Sequence, residues 1–506
     1  MARYKSDRKR VAKNTVLLYI RMIIVMGVSL FTSRVILESL GVEDYGVYNI
    51  VGGIAYSFGF FSSALTNAIQ RYLSFGHGEG SIEKVRNYLS IITIIFLIFC
   101  GIIAVAGGAA GYWIVSLLNI PAHLFSSAIW IYYSTLVSLI ITLLCSIFDS
   151  VLIAREDMNV YAYLSIAEAA FKLGIAYILF SIPSERLIVY GLLSLAATAI
   201  VKTSIIIYTY RKYEECKFHL KWNKSKIREI YGFIGWNGLG TASFAINEQG
   251  INILFNLFFG PVVNAARGIS YQVSSAINNF TSNFFMAMNP QIIKTYAAGD
   301  YKDCVRLMQQ ASIFSFFLLW LICLPVMLRR DYILNIWLTD VPDCTSQLLL
   351  WILVYNLINI LTQPQWTVIR AIGKLKRYMI TGSILMLATI PVGYTGLKTG
   401  LPPQSIIIVM SALRLMYVCV SLTNIRKYID FSIRGYVKCV FLPIAAIVLI
   451  SASSSIVADF YIPDNFPGLI MVVLFTIAIS SLSMIMFLHK NIRTSILATI
   501  KHHIKR

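Results

Sequence analysis

The chain has 506 residues, 58% of them hydrophobic and 13% charged, with a mean hydropathy of +0.72 and a formal net charge of +20. So few polar residues cannot cover a water-soluble globule, and lipid is the expected solvent. The basic excess would suit nucleic acid in a soluble protein. In a membrane protein it belongs to cytoplasmic loops, where Lys and Arg accumulate, so no nucleic-acid partner is expected.

Apolar runs between charged or Pro/Gly-rich breaks predict helices at 15–37, 47–70, 88–117, 124–148, 159–182, 187–208, 229–255, 262–290, 307–328, 346–369, 378–397, 404–422, 439–458 and 467–488. Most come near the roughly 20 residues that cross a bilayer. Residues 1–13 carry six Lys or Arg, and the apolar run from Thr15 has no small-residue cleavage site after it. The first helix therefore reads as an uncleaved anchor. If the N-terminus is inside and the chain alternates sides, 33 of the 43 Lys and Arg fall in inside segments. A miscounted helix would invert every later loop, so this bias supports about fourteen spans with both termini in the cytoplasm. All loops are short, which leaves no room for a folded external domain.

Of the eight cysteines, only Cys344 falls in an expected outer loop, and none forms a CxxC pair. No disulfide framework is expected; the thiols read as small buried apolar groups.

Two stretches about 220 residues apart agree in position: "LGVEDYGVYNIVGG" with "QRYLSFGHGEGSIEKVR", and "FFGPVVNAARGIS" with "IKTYAAGDYKDCVR". Gly41 matches Gly260, and Gly80 and Gly299 each precede a Val-Arg pair, Val85-Arg86 and Val305-Arg306. The repeat divides the chain into a basic N-terminus (1–13), a six-helix bundle (14–210), a basic linker (211–228), a second six-helix bundle (229–424), and two further helices with a basic tail (425–506). Repeated halves are common in transporters, whose substrate site lies where the halves meet.

Enzyme motifs are absent: there is no GxxxxGK[ST], no HExxH and no GxSxG, and the six histidines lie at loops and ends. The "GLGTAS" of Gly238–Ser243 reads as a close helix contact rather than a nucleotide loop. The acids Glu38, Glu43 and Asp44 are the one cluster a membrane glycan polymerase or acyltransferase could use, and loop polarity explains them more simply. No catalytic residue, metal or organic cofactor is expected. An ion gradient, of Na+ or H+, or the membrane potential would supply the energy.

Charges inside spans are costly and face a cavity or a partner. Glu168 and Lys172, four residues apart on the fifth helix, can neutralise one another. Lys202 on the sixth can snorkel to headgroups, and Arg414 on the twelfth can pair with an acid elsewhere in the chain. The seventh helix carries Asn237, Thr241, Glu248 and Asn252 along one stripe, the eighth carries Asn264, Arg267, Tyr271, Ser274, Asn278 and Ser282, and the second carries Thr66, Asn67 and Gln70. Interhelical hydrogen bonding accounts for part of this; together the stripes favour a hydrated cavity. Arg21, Arg34 and Arg267 would suit an anionic substrate, because guanidinium grips phosphate bidentately and keeps its charge. The substrate-cavity candidates are therefore Arg21, Arg34, Asn67, Gln70, Arg267 and Asn278. Arg34 has the simpler alternative of anchoring at headgroups. Glu248, with Asn237 and Asn252, is the ion-coupling candidate, and its simpler role is a buried pair with an Arg.

The segments "SRVILESLGVEDYGVYNIVGGIAYSFGFFSSALTNAIQRYLSFGHGEG" and "GPVVNAARGISYQVSSAINNFTSNFFMAMNPQIIKTYAAGD" resemble the Wzx-type polysaccharide biosynthesis flippases, exporters of O-antigen and capsule units within the multidrug/oligosaccharidyl-lipid/polysaccharide (MOP) exporter superfamily. The likeness spans nearly the whole chain in topology, and its motifs cover about a fifth of it. It implies an all-α integral membrane protein of the bacterial inner membrane, with two six-helix bundles, two C-terminal helices and alternating access. It also implies undecaprenyl-diphosphate-linked oligosaccharide as cargo, with glycosyltransferases or a polymerase of the same pathway as partners. A cation-coupled multidrug or metabolite exporter of the same superfamily is the alternative, and the scarcity of cavity acids counts against it.

Overall fold

The computed structural model describes residues 2–57, 59, 82–155, 157–217, 224–373 and 375–487. Asn67 and Gln70 lie outside the described residues, as does the side chain of Asn237. Among the described residues the regular structure is entirely helical. Eleven stretches among the described residues are long and apolar enough to cross a bilayer, which makes this a multi-pass all-α membrane protein.

The chain forms two compact units, Met1–Ile269 with Trp337–Asp343, and Ser270–Ile336 with Cys344–Arg506. The first contains α1 (Ala2–Leu40), α2 (Val42–Ser57), α3 (Ile82–Ser116), α4 (Phe125–Ala154), α5 (Met158–Ile178), α6 (Arg186–Lys212), α7 (Lys224–Phe259) and the opening turns of α8 (Pro261–Ala297). Within it α1 packs along α5, and α4 is held against α2, α3 and α6. Val47, Ile50, Ile92, Phe96, Ile131 and Tyr132 fill the core there, and the Tyr132 hydroxyl donates to the Gly107 carbonyl at 2.9 Å.

The two glycines matched by the repeat have the same job. Gly41 (φ +84°) is the single residue between α1 and α2, and Gly260 (φ +75°) is the single residue between α7 and α8. Both sit in the left-handed region, which a residue without Cβ enters freely, so one residue can turn one helix into the next. α2 also rests directly on the second elbow. A Cβ at Gly46 would lie 2.1 Å from the Pro261 carbonyl oxygen, so only glycine lets the backbones approach this closely.

The second unit continues α8 and adds α9 (Tyr301–Leu328), α10 (Arg330–Trp337), α11 (Thr345–Asn359), α12 (Thr362–Ile372), α13 (Leu375–Leu387), α14 (Thr389–Lys398), α15 (Gln404–Arg426), α16 (Ile433–Tyr436), α17 (Leu442–Asp459) and α18 (Phe466–Phe487). α15 is its centre, touched by α11, α12, α13 and α14. α17 and α18 pair with each other and lean on α9. The expected single helices over 346–369 and 378–397 are each broken, between α11 and α12 and between α13 and α14. Pro364 and Pro391 explain both breaks: proline has no N–H to donate, and its ring clashes with the carbonyl four residues back.

α7 and α8 are 36 and 37 residues long, enough to span, yet they fall outside the eleven apolar stretches. Their Asn, Gln, Glu and Arg residues lower the hydropathy, and these are the side chains considered next.

Candidate functional site

Among the described residues of the first unit, two groups of buried charged side chains lie between its long helices. One joins α7 to α8. Arg267 is 8% exposed and donates through Nη2 to Glu248 Oε2 at 2.7 Å and to the Glu248 carbonyl at 3.2 Å. Asn264 Nδ2, one turn earlier on α8, donates to Asn252 Oδ1 at 2.7 Å and to its carbonyl at 2.9 Å. A turn further along α7, Asn256 Oδ1 accepts from the backbone N–H of Asn119 at 2.8 Å. Glu248, Asn252 and Asn256 thus recur every four residues on one face, and each meets a protein partner. The simpler role for Glu248, a buried pair with an arginine, is the geometry found.

The other group surrounds a cavity of about 190 Å³ lined by α1, α4, α5 and α6. Arg21 comes from α1, Asp149 from α4, Tyr161, Ser165, Glu168 and Lys172 from α5, and Lys202 from α6. Helical spacing makes the cluster: 161, 165, 168 and 172 follow one another at three- and four-residue steps and so share a face of α5. Glu168 Oε1 accepts from Lys172 Nζ at 2.9 Å, while Glu168 Oε2 lies 3.5 Å from Lys202 Nζ. Lys202 Nζ is also 4.0 Å from Asp149 Oδ2. The Arg21 guanidinium stacks on the Tyr161 ring with its central carbon 4.5 Å from the centroid. Among the described residues Arg21 makes no ion pair, and its Nε and Asp149 Oδ1 are buried without a hydrogen-bond partner. Three cations face two carboxylates, so the pocket is formally positive.

The sequence candidates therefore separate. Arg21 lies in the pocket; Arg267, Glu248 and Asn252 lie in the α7–α8 ladder. Arg34 is half-buried thirteen residues along α1 from Arg21, about 20 Å at 1.5 Å per residue, too far for both to grip one phosphate group. Asn278, in the second unit, donates to Ser274 Oγ at 3.4 Å, and Asn356 donates to the same oxygen at 2.7 Å. Lys202 does not snorkel: packing of α6 on α4 and α5 leaves its side chain 15% exposed and turned to Asp149 and Glu168. Arg414 meets no acid among the described residues; it donates to Thr362 Oγ1 at 3.1 Å and stacks on Tyr417. Of the three acids Glu38, Glu43 and Asp44, Glu38 accepts from Thr339 and Glu43 lies 4.0 Å from His123.

Asp149 was hidden by a helix boundary. The expected fourth helix ends at residue 148, whereas α4 continues to Ala154 and carries Asp149 into the pocket. Tyr161 gave no sequence signal, because an aromatic on a membrane helix reads as packing until a cation is seen over it.

The MatE family profile matches residues 245–395. No curated protein matches the sequence. Among solved structures, the lipid II flippase MurJ in an inward closed conformation is similar at a TM-score of 0.72 and 15% identity, over 94% of this chain and 98% of that one. A multidrug resistance MATE family transporter of the MOP superfamily, inward-facing, gives 0.66 at 13% identity, over 82% of this chain and 98% of that one. A MOP superfamily transporter from Pyrococcus furiosus gives 0.62 at 14% identity, over 83% and 96%. The chain has the MOP transporter fold.

Proposed function

We propose that this MOP-fold chain is a flippase that moves undecaprenyl-diphosphate-linked oligosaccharide from the cytoplasmic to the outer leaflet of a bacterial inner membrane, for O-antigen or capsule biosynthesis. The observation that carries the reading is the pocket in which Arg21, Lys172 and Lys202 outnumber Asp149 and Glu168, with the Arg21 fork uncommitted to any described carboxylate. A positive pocket within transmembrane helices attracts a lipid-borne anion, and guanidinium suits a diphosphate because it stays charged and bonds through two parallel N–H groups. Likeness to a protein described as a lipid II flippase supports a lipid-linked cargo. In this reading both termini are cytoplasmic, the units work by alternating access, and glycosyltransferases or a polymerase of the pathway supply and use the cargo. Arg34, Asn67, Gln70 and Asn278 are proposed as further cargo contacts.

Deleting the gene should leave glycan-loaded lipid carrier on the cytoplasmic leaflet. Normal surface glycan in a deletion strain with no redundant flippase would overturn the reading.

A cation-coupled exporter is the second reading, favoured by two carboxylates in one pocket, Asp149 and Glu168, which can take up Na+ or H+. Deletion would then raise susceptibility to cationic dyes and leave surface glycan intact.

A further inference from the structure

We propose that Glu168 is an internal counter-ion that competes with the anionic cargo for the two pocket lysines, and so sets how tightly a polyprenyl diphosphate is held and how quickly it leaves. The inference rests on the anion-carrying reading of the pocket given above.

The geometry divides the three cations into two kinds. Glu168 reaches both lysines at once, through different oxygens: Lys172 at 2.9 Å and Lys202 at 3.5 Å. Arg21 is held by the Tyr161 ring, and its Nε is buried without an acceptor among the described residues. An entering diphosphate therefore finds Arg21 ready and the lysines occupied. It can gain the lysines only in exchange for their bonds to Glu168.

Glu168 cannot withdraw to water when this happens. Its side chain is 20% exposed and fixed on α5 among α1, α4 and α6, so its negative charge stays beside the bound anion. Asp149 adds to the effect from α4, more weakly, because its nearer oxygen is 4.0 Å from Lys202. Like charges in a partly dry site repel strongly. The outcome is a pocket that attracts a diphosphate and holds it less tightly than three bare cations would, as a carrier that must release its cargo on the far side requires.

A purely structural role for Glu168 makes the opposite prediction. Removing a brace loosens the pocket and weakens binding, whereas removing a competing counter-ion tightens it.

The test uses the full chain in lipid nanodiscs, with geranylgeranyl diphosphate and inorganic pyrophosphate as probes. Glu168→Gln should tighten binding about tenfold, and Asp149→Asn should tighten it by less. Lipid-diphosphate flipping in proteoliposomes should turn over more slowly in Glu168→Gln despite the lower KM. Tightening with the prenyl probe assigns a lipid headgroup as the ligand, tightening with pyrophosphate alone assigns a free diphosphate, and either supports the counter-ion role. Unchanged or weaker binding in folded Glu168→Gln overturns it; should that variant not fold, unchanged or weaker binding in Asp149→Asn does so. If the wild type binds and Arg21→Ala weakens it while neither acid variant tightens, the counter-ion inference alone fails. If the wild type binds neither probe, the anion reading of the pocket fails with it.

Discussion

The α7–α8 ladder and the α1–α4–α5–α6 pocket use the same chemistry, an arginine and a few carboxylates and amides inside transmembrane helices, and arrive at different ends. In the ladder a guanidinium meets a carboxylate at 2.7 Å, and the neighbouring asparagines bond to one another. In the pocket the charges are unequal in number, a 190 Å³ cavity lies between them, and buried atoms of Arg21 and Asp149 have no partner among the described residues. A buried polar atom without a hydrogen bond is costly, and both clusters hold such atoms, Asn264 Oδ1 in the ladder as well as Arg21 Nε and Asp149 Oδ1 in the pocket. The surplus of cations and the cavity are therefore what mark the pocket as awaiting a ligand. Neither residue type nor depth in a helix separates the two cases; stoichiometry does, one guanidinium to one carboxylate in the ladder against three cations to two carboxylates in the pocket.

The largest expected effect tests the brace. Arg267→Ala strands the Glu248 carboxylate, which is 15% exposed, and should cost about 3–5 kcal/mol of stability. Thermal unfolding in detergent should show the loss, and replacing both residues by methionine should restore most of it. A variant of full stability that fails to transport would instead move Arg267 into the cargo path.

Arg21→Ala comes next and should act on transport with little effect on unfolding. Loss of charge-assisted bonds to cargo worth about 1.5–3 kcal/mol corresponds to roughly ten- to hundredfold slower flipping. Arg21→Lys should recover part, since it keeps the charge and loses the fork. Equal melting losses for Arg21→Ala and Arg267→Ala would erase the distinction between the two clusters.

The smallest effect concerns a satisfied cluster at the end of the α6 span, where Asp157 and Tyr213 lie just outside it. Asp157 Oδ2 accepts from Lys212 Nζ, Tyr208 and Tyr213 at 2.7, 2.9 and 2.8 Å. Burial pushes this carboxyl up, and the bonds from Lys212, Tyr213 and Tyr208 outweigh it, holding Asp157 below the usual carboxylate range. Burial and then the bond to Asp157 push the Tyr213 phenol up to about 12. A depressed carboxylate stabilises the fold fully above its unfolded value and stops doing so as pH falls through the folded one; the raised phenol loses its contribution only as pH climbs from the ordinary tyrosine range toward 12. Asp157→Asn should therefore cost about 1 kcal/mol near neutral pH. The difference from wild type in melting temperature should hold between pH 5 and 8, begin to shrink as pH falls past the ordinary carboxylate value of 3.8, and vanish only below the lower folded value. A pH-independent difference would mean that Asp157 acts through packing and not through its charge.

Much of the fold was legible because lipid imposes simple demands. Twenty apolar residues make a span, so the multi-pass helical class could be read from hydropathy, while the long helices α7 and α8 fall outside the apolar stretches because of their polar side chains. The glycine elbows were visible as a repeat, since Gly41 and Gly260 answer the same need for a left-handed residue. The candidate site was legible only in part. Arg21 and Glu248 stood out as charges in apolar runs, and the four-residue step from Glu168 to Lys172 gave their ion pair. That Lys202 joins them, that Asp149 is helical, and that Arg21 lies on Tyr161 depend on how α1, α4 and α6 pack on α5.

The sequence by itself thus determined a multi-pass helical membrane protein, because hydropathy and helical period are properties of a segment and its solvent. Tertiary structure alone decided which buried charges cancel and which are left over. Pairing depends on side chains from helices far apart in the chain meeting within a few ångströms, and no local pattern records that distance.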